Sequence, residues 1–175
     1  MQHVELLVRL KIPDVTALTA AGALRRRMGY ETQLKALKRA DFYRLELDAA
    51  DQEGAFALAR ELAEKTNVFV NPNKDVYEVR APSHEAVNGD DGTYMVQVLV
   101  TDPSDGSAAG ALSALKGRLG YGDRVGGILK GILWTLELEC DSAQQAREIA
   151  RDIAVTTRRE SGLLMNPHFQ ECEVW

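Results

Sequence analysis

Residue types able to do chemistry are sparse in this chain, and none falls at a catalytic spacing. The three histidines, His3, His84 and His168, sit at the amino end, in a linker and after an Asn-Pro turn. They share no metal-ligand spacing with one another or with Cys140 and Cys172, so no metal site is expected. Both cysteines read as reduced thiols filling apolar or edge positions. Ser104, Ser107 and Ser161 occupy turn-like contexts without a nucleophile motif, which favours capping over acylation. Glu46 and Asp48 share a strand face with Arg44, a pattern of surface charge rather than of an acid–base pair. Asp102-Pro103-Ser104-Asp105-Gly106-Ser107 precedes a helix and could offer amides to an anion, but no P-loop lysine follows. Gly126-Gly127 and Gly131 bracket Ile128-Leu129-Lys130 in a strand region, where a bulge or bend is commoner than a phosphate cradle. Arg25-Arg26-Arg27 ends a helix, where cations offset the dipole. The expectation is a scaffold with no catalytic residues.

The elements that carry these residues occur twice. Gly29-Tyr30 recurs as Gly120-Tyr121, Leu45-Glu46-Leu47 as Leu136-Glu137-Leu138, and Ala59-Arg60 as Ala150-Arg151, each 91 residues later. Asn71-Pro72 recurs as Asn166-Pro167 at a spacing of 95, so the second copy has gained four residues before that point. Two units of about 80 residues follow, 1–80 and 95–175, joined by the acidic linker 81–94 with its Pro82, Gly89 and Gly92.

Each unit reads as strand, helix, strand, strand, helix, strand. Val4, Leu6, Val8 and Leu10 alternate in the first strand, and Val96, Val98 and Val100 in its counterpart. The first helix has the stripe Leu18, Ala21, Leu24, Met28, matched by Ala109, Leu112, Leu115, Leu119, each stopped by a glycine. The second buries Ala55, Leu58, Ala59, Leu62 and Ala63, echoed by Ala146, Ile149, Ala150, Ile153 and Ala154, with Asn-Pro marking its end. Short strands at 76–79 and 171–174 close the units. Two helices on one face of a four-stranded sheet is ferredoxin-like layering, and two such sheets make an α+β protein.

Apolar residues make up 45% and charged residues 27%, ordinary values for a folded domain. The net charge of -5 argues against a nucleic-acid partner, which needs a basic face. No apolar run approaches membrane-spanning length and no signal-peptide pattern is present, so a cytoplasmic protein without membrane association is expected.

The recurring features resemble those of PurS, the small subunit of phosphoribosylformylglycinamidine synthase. The first unit supplies Leu10-Lys11-Ile12-Pro13, Met28-Gly29-Tyr30, Leu45-Glu46-Leu47, and Val70-Asn71-Pro72 with Tyr77-Glu78-Val79. The second supplies Asp102-Pro103, Leu119-Gly120-Tyr121, Leu136-Glu137-Leu138, and Leu163-Leu164-Met165-Asn166-Pro167 with Glu173-Val174. The Gly-Lys of the family's middle strand is replaced by Ala40-Asp41 and Gly131-Ile132. The resemblance implies two PurS-like, ferredoxin-like βαββαβ units packed as a pseudo-twofold intrachain dimer. Family members are single units that pair, with elements exchanged between them, so the tandem chain would supply both halves covalently. It also implies a non-catalytic assembly role in de novo purine biosynthesis, bridging the ATP-dependent synthase and the glutaminase so that ammonia reaches its acceptor. No cofactor is then expected on this chain, ATP and magnesium belonging to the large subunit, and a homodimer of chains is expected. The partner-binding candidates are Gly29, Tyr30, Lys38, Arg39, Asn71, Pro72, Gly120, Tyr121, Lys130, Asn166 and Pro167.

Two other classes share parts of this pattern. A tandem ACT-like amino-acid-binding regulatory module has the same strand–helix–strand order, and Thr101-Asp102-Pro103 before a helix looks like its ligand loop. It leaves the Gly-Tyr and Asn-Pro repeats unexplained. An RNA-binding sheet would use Phe42 and Tyr43, but the acidic balance weakens it.

Overall fold

A computed structural model describes residues 1–84, 87–88, 92–155 and 164–175. The chain is an α+β protein with the strands β1 (Gln2–Leu10), β2 (Leu34–Leu47), β3 (Asp75–Arg80), β4 (Val87–Asn88), β5 (Thr93–Thr101), β6 (Val125–Glu139) and β7 (Glu171–Val174). The helices are α1 (Val15–Met28), α2 (Gln52–Lys65), α3 (Ser107–Lys116) and α4 (Ala143–Ala154). No described helix is long and apolar enough to cross a membrane.

Local chemistry fixes the helix starts. The Asp14 carboxylate accepts from the amides of Thr16 (2.9 Å) and Ala17 (3.2 Å) ahead of α1. The Asp51 carboxylate accepts from the Gly54 amide (2.8 Å), and Ser142 Oγ from the Gln145 amide (3.1 Å), at the matching point of the second repeat. Each satisfies a helix-end N–H that would otherwise lack a partner. In α3 the cap is Gly106, without a side-chain bond, and Asp105 reaches forward instead to the Ser107 amide (2.8 Å).

Compactness divides the chain differently from the repeat boundaries at 1–80, 81–94 and 95–175. One unit comprises Met1–Ile12, Ala40–Ser83 and Ser104–Gly131; the other comprises Pro13–Arg39, His84–Pro103 and Ile132–Trp175. In the first, the strand order is β3, β1, the second half of β2, then the first half of β6, with β1 antiparallel to both β2 and β3. Helices α2 and α3 cover one face, burying Val4, Leu6, Val8, Leu45, Leu47, Leu58, Leu62 and Leu115. In the second unit the order is the first half of β2, the second half of β6, then β5, which pairs with β4 and β7. There α1 and α4 cover a core of Leu24, Leu34, Val96, Val98, Val100, Trp134, Leu136, Leu138 and Ile153. Each unit therefore contains one helix and one half-strand from the other repeat.

Several sequence expectations are corrected. The two middle strands of each repeat are one strand, 14 residues in β2 and 15 in β6. Leu34 to Leu47 holds no Gly, Pro or Asn to turn the chain, so it runs straight on and takes its leading helix to the other unit. Leu18 does not belong to the buried stripe: it is 61% exposed, and α1 buries Ala17, Ala20, Ala21 and Leu24 instead. In α3 only Leu115 is fully buried and Ala109 is exposed, while Leu119 lies beyond the helix end at Lys116 and is exposed as well. Leu10 is likewise exposed at the end of β1. Helix α2 ends at Lys65, well before Asn71-Pro72, so that dipeptide does not terminate it. Within the expected linker, Val87–Asn88 and Thr93 onward are strand, while residues 85–86 and 89–91 lie outside the described residues. Ser161 and Leu163 also lie outside them.

Gly126-Gly127 marks a bulge. Val125 and Ile128 pack on the same core although they stand three positions apart, which breaks the two-residue alternation of a strand. Leu34 and Leu37 do the same at the matching place in β2. A Cβ on Gly127 would lie 2.8 Å from Glu46 Oε2, so a carboxylate occupies the space a phosphate cradle would need.

The sheet face away from the helices in the first unit holds the one fully buried carboxylate among the described residues. Glu5 is 0% exposed and receives Arg44 Nη2 at 3.3 Å and Arg80 Nε at 2.8 Å, from the two strands that flank β1. Arg44 stacks over the Phe42 ring at 5.6 Å. A buried charge is tolerated only when paired in this way.

Candidate functional site

The partner-binding candidates fall into three kinds of local structure, each built twice. The basic residues lie in mid-strand beside a helix start. Arg39 Nε donates to Asp14 Oδ2 at 2.9 Å, and Lys130 Nζ donates to Asp105 Oδ2 at 3.3 Å and to Ser107 Oγ at 2.8 Å. Asp14 and Asp105, and likewise Arg39 and Lys130, stand 91 residues apart, so one ion pair has been built twice. Hydrogen bonds from the Ser107 amide and hydroxyl, helped by Lys130, hold the Asp105 carboxyl below the usual carboxylate range. Lys38 is exposed and makes no ion pair among the described residues.

The Gly-Tyr turns lie beyond the other end of the same helices: Gly29 caps α1 directly, while α3, expected to run to Gly120, ends at Lys116 with Gly117 as its cap. Gly29 (φ 82°) and Gly120 (φ 74°) are left-handed, a conformation open to glycine at little cost. The turn returns the Tyr30 amide to the Leu24 carbonyl (3.2 Å) and the Tyr121 amide to the Leu115 carbonyl (2.9 Å). Both rings pack on a core, Tyr30 in the second unit and Tyr121 in the first. Burial, then the Glu61 carboxylate, pushes the Tyr121 hydroxyl up, and its oxygen lies 3.4 Å from Glu61. Burial and Asp152, the residue 91 positions after Glu61, do the same to Tyr30.

The Asn-Pro turns open the last strand of each repeat. Asn71 Oδ1 accepts from the Asn73 amide (3.0 Å) and its carbonyl from the Asp75 amide (2.8 Å); Asn166 accepts from the His168 (3.0 Å) and Gln170 (2.9 Å) amides in the same pattern. This is an Asx turn, in which a short carboxamide mimics backbone. Lys11 Nζ donates to the Pro72 carbonyl at 2.6 Å. Pro167 follows Asn166 at the exposed tip of the second turn.

The fold gathers some of these features and separates others. In the first unit Tyr43 feels Asp75, from the Asn71-Pro72 turn, and Asp105, the partner of Lys130, so those two features share one end. Gly120-Tyr121 is at the far end of α3, whose ten residues span roughly 15 Å. Lys38, Arg39, Gly29, Tyr30, Asn166 and Pro167 all belong to the second unit. Burial, reinforced by Asp41, Asp75 and Asp105, pushes the Tyr43 hydroxyl up to about 12. Sequence reasoning missed the Glu5–Arg44–Arg80 cluster, whose signal was a lone glutamate in an otherwise apolar run, Val4-Glu5-Leu6-Leu7-Val8.

Among the described residues no group of three or more His, Cys, Asp or Glu could hold a metal ion. Comparison with known protein families and with curated proteins finds no match for the chain.

Proposed function

We propose that the chain is a non-catalytic assembly subunit of phosphoribosylformylglycinamidine synthase, a tandem PurS that bridges the ATP-dependent synthase and the glutaminase for ammonia transfer. In this reading each compact unit is one βαββαβ fold whose first helix and following half-strand come from the other repeat. The two units then form a pseudo-twofold intrachain dimer. ATP and magnesium are held by the large subunit, and two chains associate.

The observation that carries this reading is the membership of the first helices: Leu24 of repeat one is buried in the second unit and Leu115 of repeat two in the first. Exchange of that kind is what a fused pair of PurS subunits requires. The duplicated Asp–cation pairs, Gly-Tyr turns and Asn-Pro turns support it, because each recurs at equivalent positions around different neighbours. Co-purification of the tagged chain with the synthase and glutaminase subunits from the same source tests it. Recovery of both subunits in a complex is expected, and recovery of neither contradicts the reading.

A further inference from the structure

Strand β3 is the outermost strand of the first unit, and among the described residues no strand pairs with its outer side. The Lys11 amide donates to the Lys74 carbonyl at 2.8 Å, which sets the hydrogen-bonding phase of the β1–β3 ladder. In that phase Lys74, Val76, Glu78 and Arg80 exchange backbone bonds with β1, and the residues between them turn their N–H and C=O groups outward. Asp75 already donates its amide to the Asn71 carbonyl at 2.8 Å. Tyr77, Val79 and, just past the strand, Ala81 keep outward backbone groups without a partner among the described residues. Pro82 holds Ala81 in the extended region, so the edge continues that far.

The side chains of β3 do nothing to block this edge. Asp75 Oδ2 accepts from the Asn71 amide (2.9 Å), Glu78 pairs with Arg9 (3.0 Å) and Arg80 with Glu5 (2.8 Å). Its charges are thus matched within the unit. Val76 is 48% exposed, and the strand holds neither the lysine nor the proline that commonly guards a sheet edge.

The second repeat supplies an internal control. Strand β7 is the equivalent last strand, laddered to β5 in the same phase. Val76 and Glu78 are matched there by Glu171 and Glu173, both exposed and without an ion pair among the described residues. Two copies of β7 could not meet without setting glutamate against glutamate, which is unfavourable across a strand pair. One outer strand is guarded by charge and the other is not.

We propose that β3 is a self-association edge that pairs antiparallel with β3 of a second copy of this chain, extending the sheet across a twofold axis. The proposal deepens the two-chain association put forward above and rests on that part of the reading alone. The unpaired backbone groups select the register. With the axis at Val79, each Val79 faces its own copy and each Tyr77 faces Ala81 of the second copy. Every outward group on these residues then gains a bond. The pairs between them place Glu78 opposite Arg80 of the second copy on both sides of the axis, a favourable match of charge. An axis at Tyr77 would need the Asp75 amide, which Asn71 holds, and an axis at Glu78 would set the two glutamates face to face.

The test is light scattering of the full chain across the micromolar range, where twice the 19.3 kDa mass of one chain is expected. Val79→Pro removes an outward N–H and no bond to β1, and should give the single-chain mass. Glu78→Arg makes both charge pairs repulsive and should weaken association at least about tenfold. Unchanged circular dichroism shows that the variants fold. Amide exchange of the wild type, followed by NMR, needs no variant: Tyr77, Val79 and Ala81 should be protected, while the outward amides of Cys172 and Val174 on β7 exchange fast. The proposal is overturned if the wild type keeps the single-chain mass throughout or if either folded variant associates as the wild type does. It is equally overturned if the Tyr77 and Val79 amides exchange as fast as those of Cys172 and Val174. Recovery of both the synthase and the glutaminase by a chain of single mass would leave the bridging role standing and remove this contact.

Discussion

Leu24 and Leu115 hold the same place in the two repeats, 91 residues apart, and each is fully buried in a core made mostly by the other repeat's strands. Their helices share little else in burial, since α1 buries three alanines beside Leu24 and α3 buries Leu115 alone. The leucine is therefore the anchor by which each exchanged helix is held. Leu24→Ala and Leu115→Ala should each destabilise the chain by about 2 to 5 kcal/mol, the usual cost of emptying a leucine site in a core. Urea unfolding followed by circular dichroism measures it; a loss below about 0.5 kcal/mol at either position would mean that the helix is held by something else.

Glu5 should be the most sensitive polar position. Removing its charge takes from Arg44 and Arg80 the buried carboxylate they share, so Glu5→Ala should cost about 3 to 5 kcal/mol. Replacing Glu5, Arg44 and Arg80 together with apolar residues of similar volume should restore most of that loss, because the buried carboxylate and the two cations facing it are removed together. Thermal melts of the single and triple variants separate these outcomes.

Tyr43 should be the last tyrosine to ionise in the folded protein. Its hydroxyl is raised to about 12, so the native state holds the phenol proton more tightly than the unfolded chain does. The stability this contributes is complete below the ordinary tyrosine value of about 10 and is lost as pH rises from there through about 12. Ultraviolet difference titration of the wild type against Tyr43→Phe reads the step directly; a Tyr43 step near 10 would contradict it.

Arg39 and Lys130 serve the fold as well as any partner, whereas Lys38 does not. Arg39→Ala and Lys130→Ala should each cost up to about 1 kcal/mol through the lost ion pair. Lys38→Glu should stay within about 0.5 kcal/mol while weakening capture of the synthase subunit in a pull-down. Equal capture by wild type and Lys38→Glu would remove Lys38 from the partner surface.

Much of the architecture was legible because the signals were local. The α2 stripe from Ala55 to Ala63 is buried throughout, and Val4, Leu6 and Val8 face the core as their alternation required. Gly29 stops α1 in the left-handed conformation expected of glycine there, whereas α3 ends earlier, at Lys116 with Gly117 as its cap, and Gly120 is left-handed in the turn beyond it. Leu18 misled because alanines carry little hydrophobic signal, so the larger residue drew the stripe away from Ala17 and Ala20. The interleaving of the units was hidden for a different reason. Two repeats with equivalent helix anchors present equivalent faces, and periodicity shows that a face is buried but not which sheet buries it. Glu5 was invisible because a buried carboxylate depends on Arg44 and Arg80, 39 and 75 residues away in the chain.

The central claim is tested most directly by reconstitution. The synthase and glutaminase subunits from the same source are assayed with and without this chain, using glutamine or ammonium chloride as nitrogen donor. The account predicts that glutamine-dependent formation of phosphoribosylformylglycinamidine requires the chain, while ammonia-dependent formation proceeds without it. Glutamine-dependent turnover that is the same in its absence would contradict the assembly role.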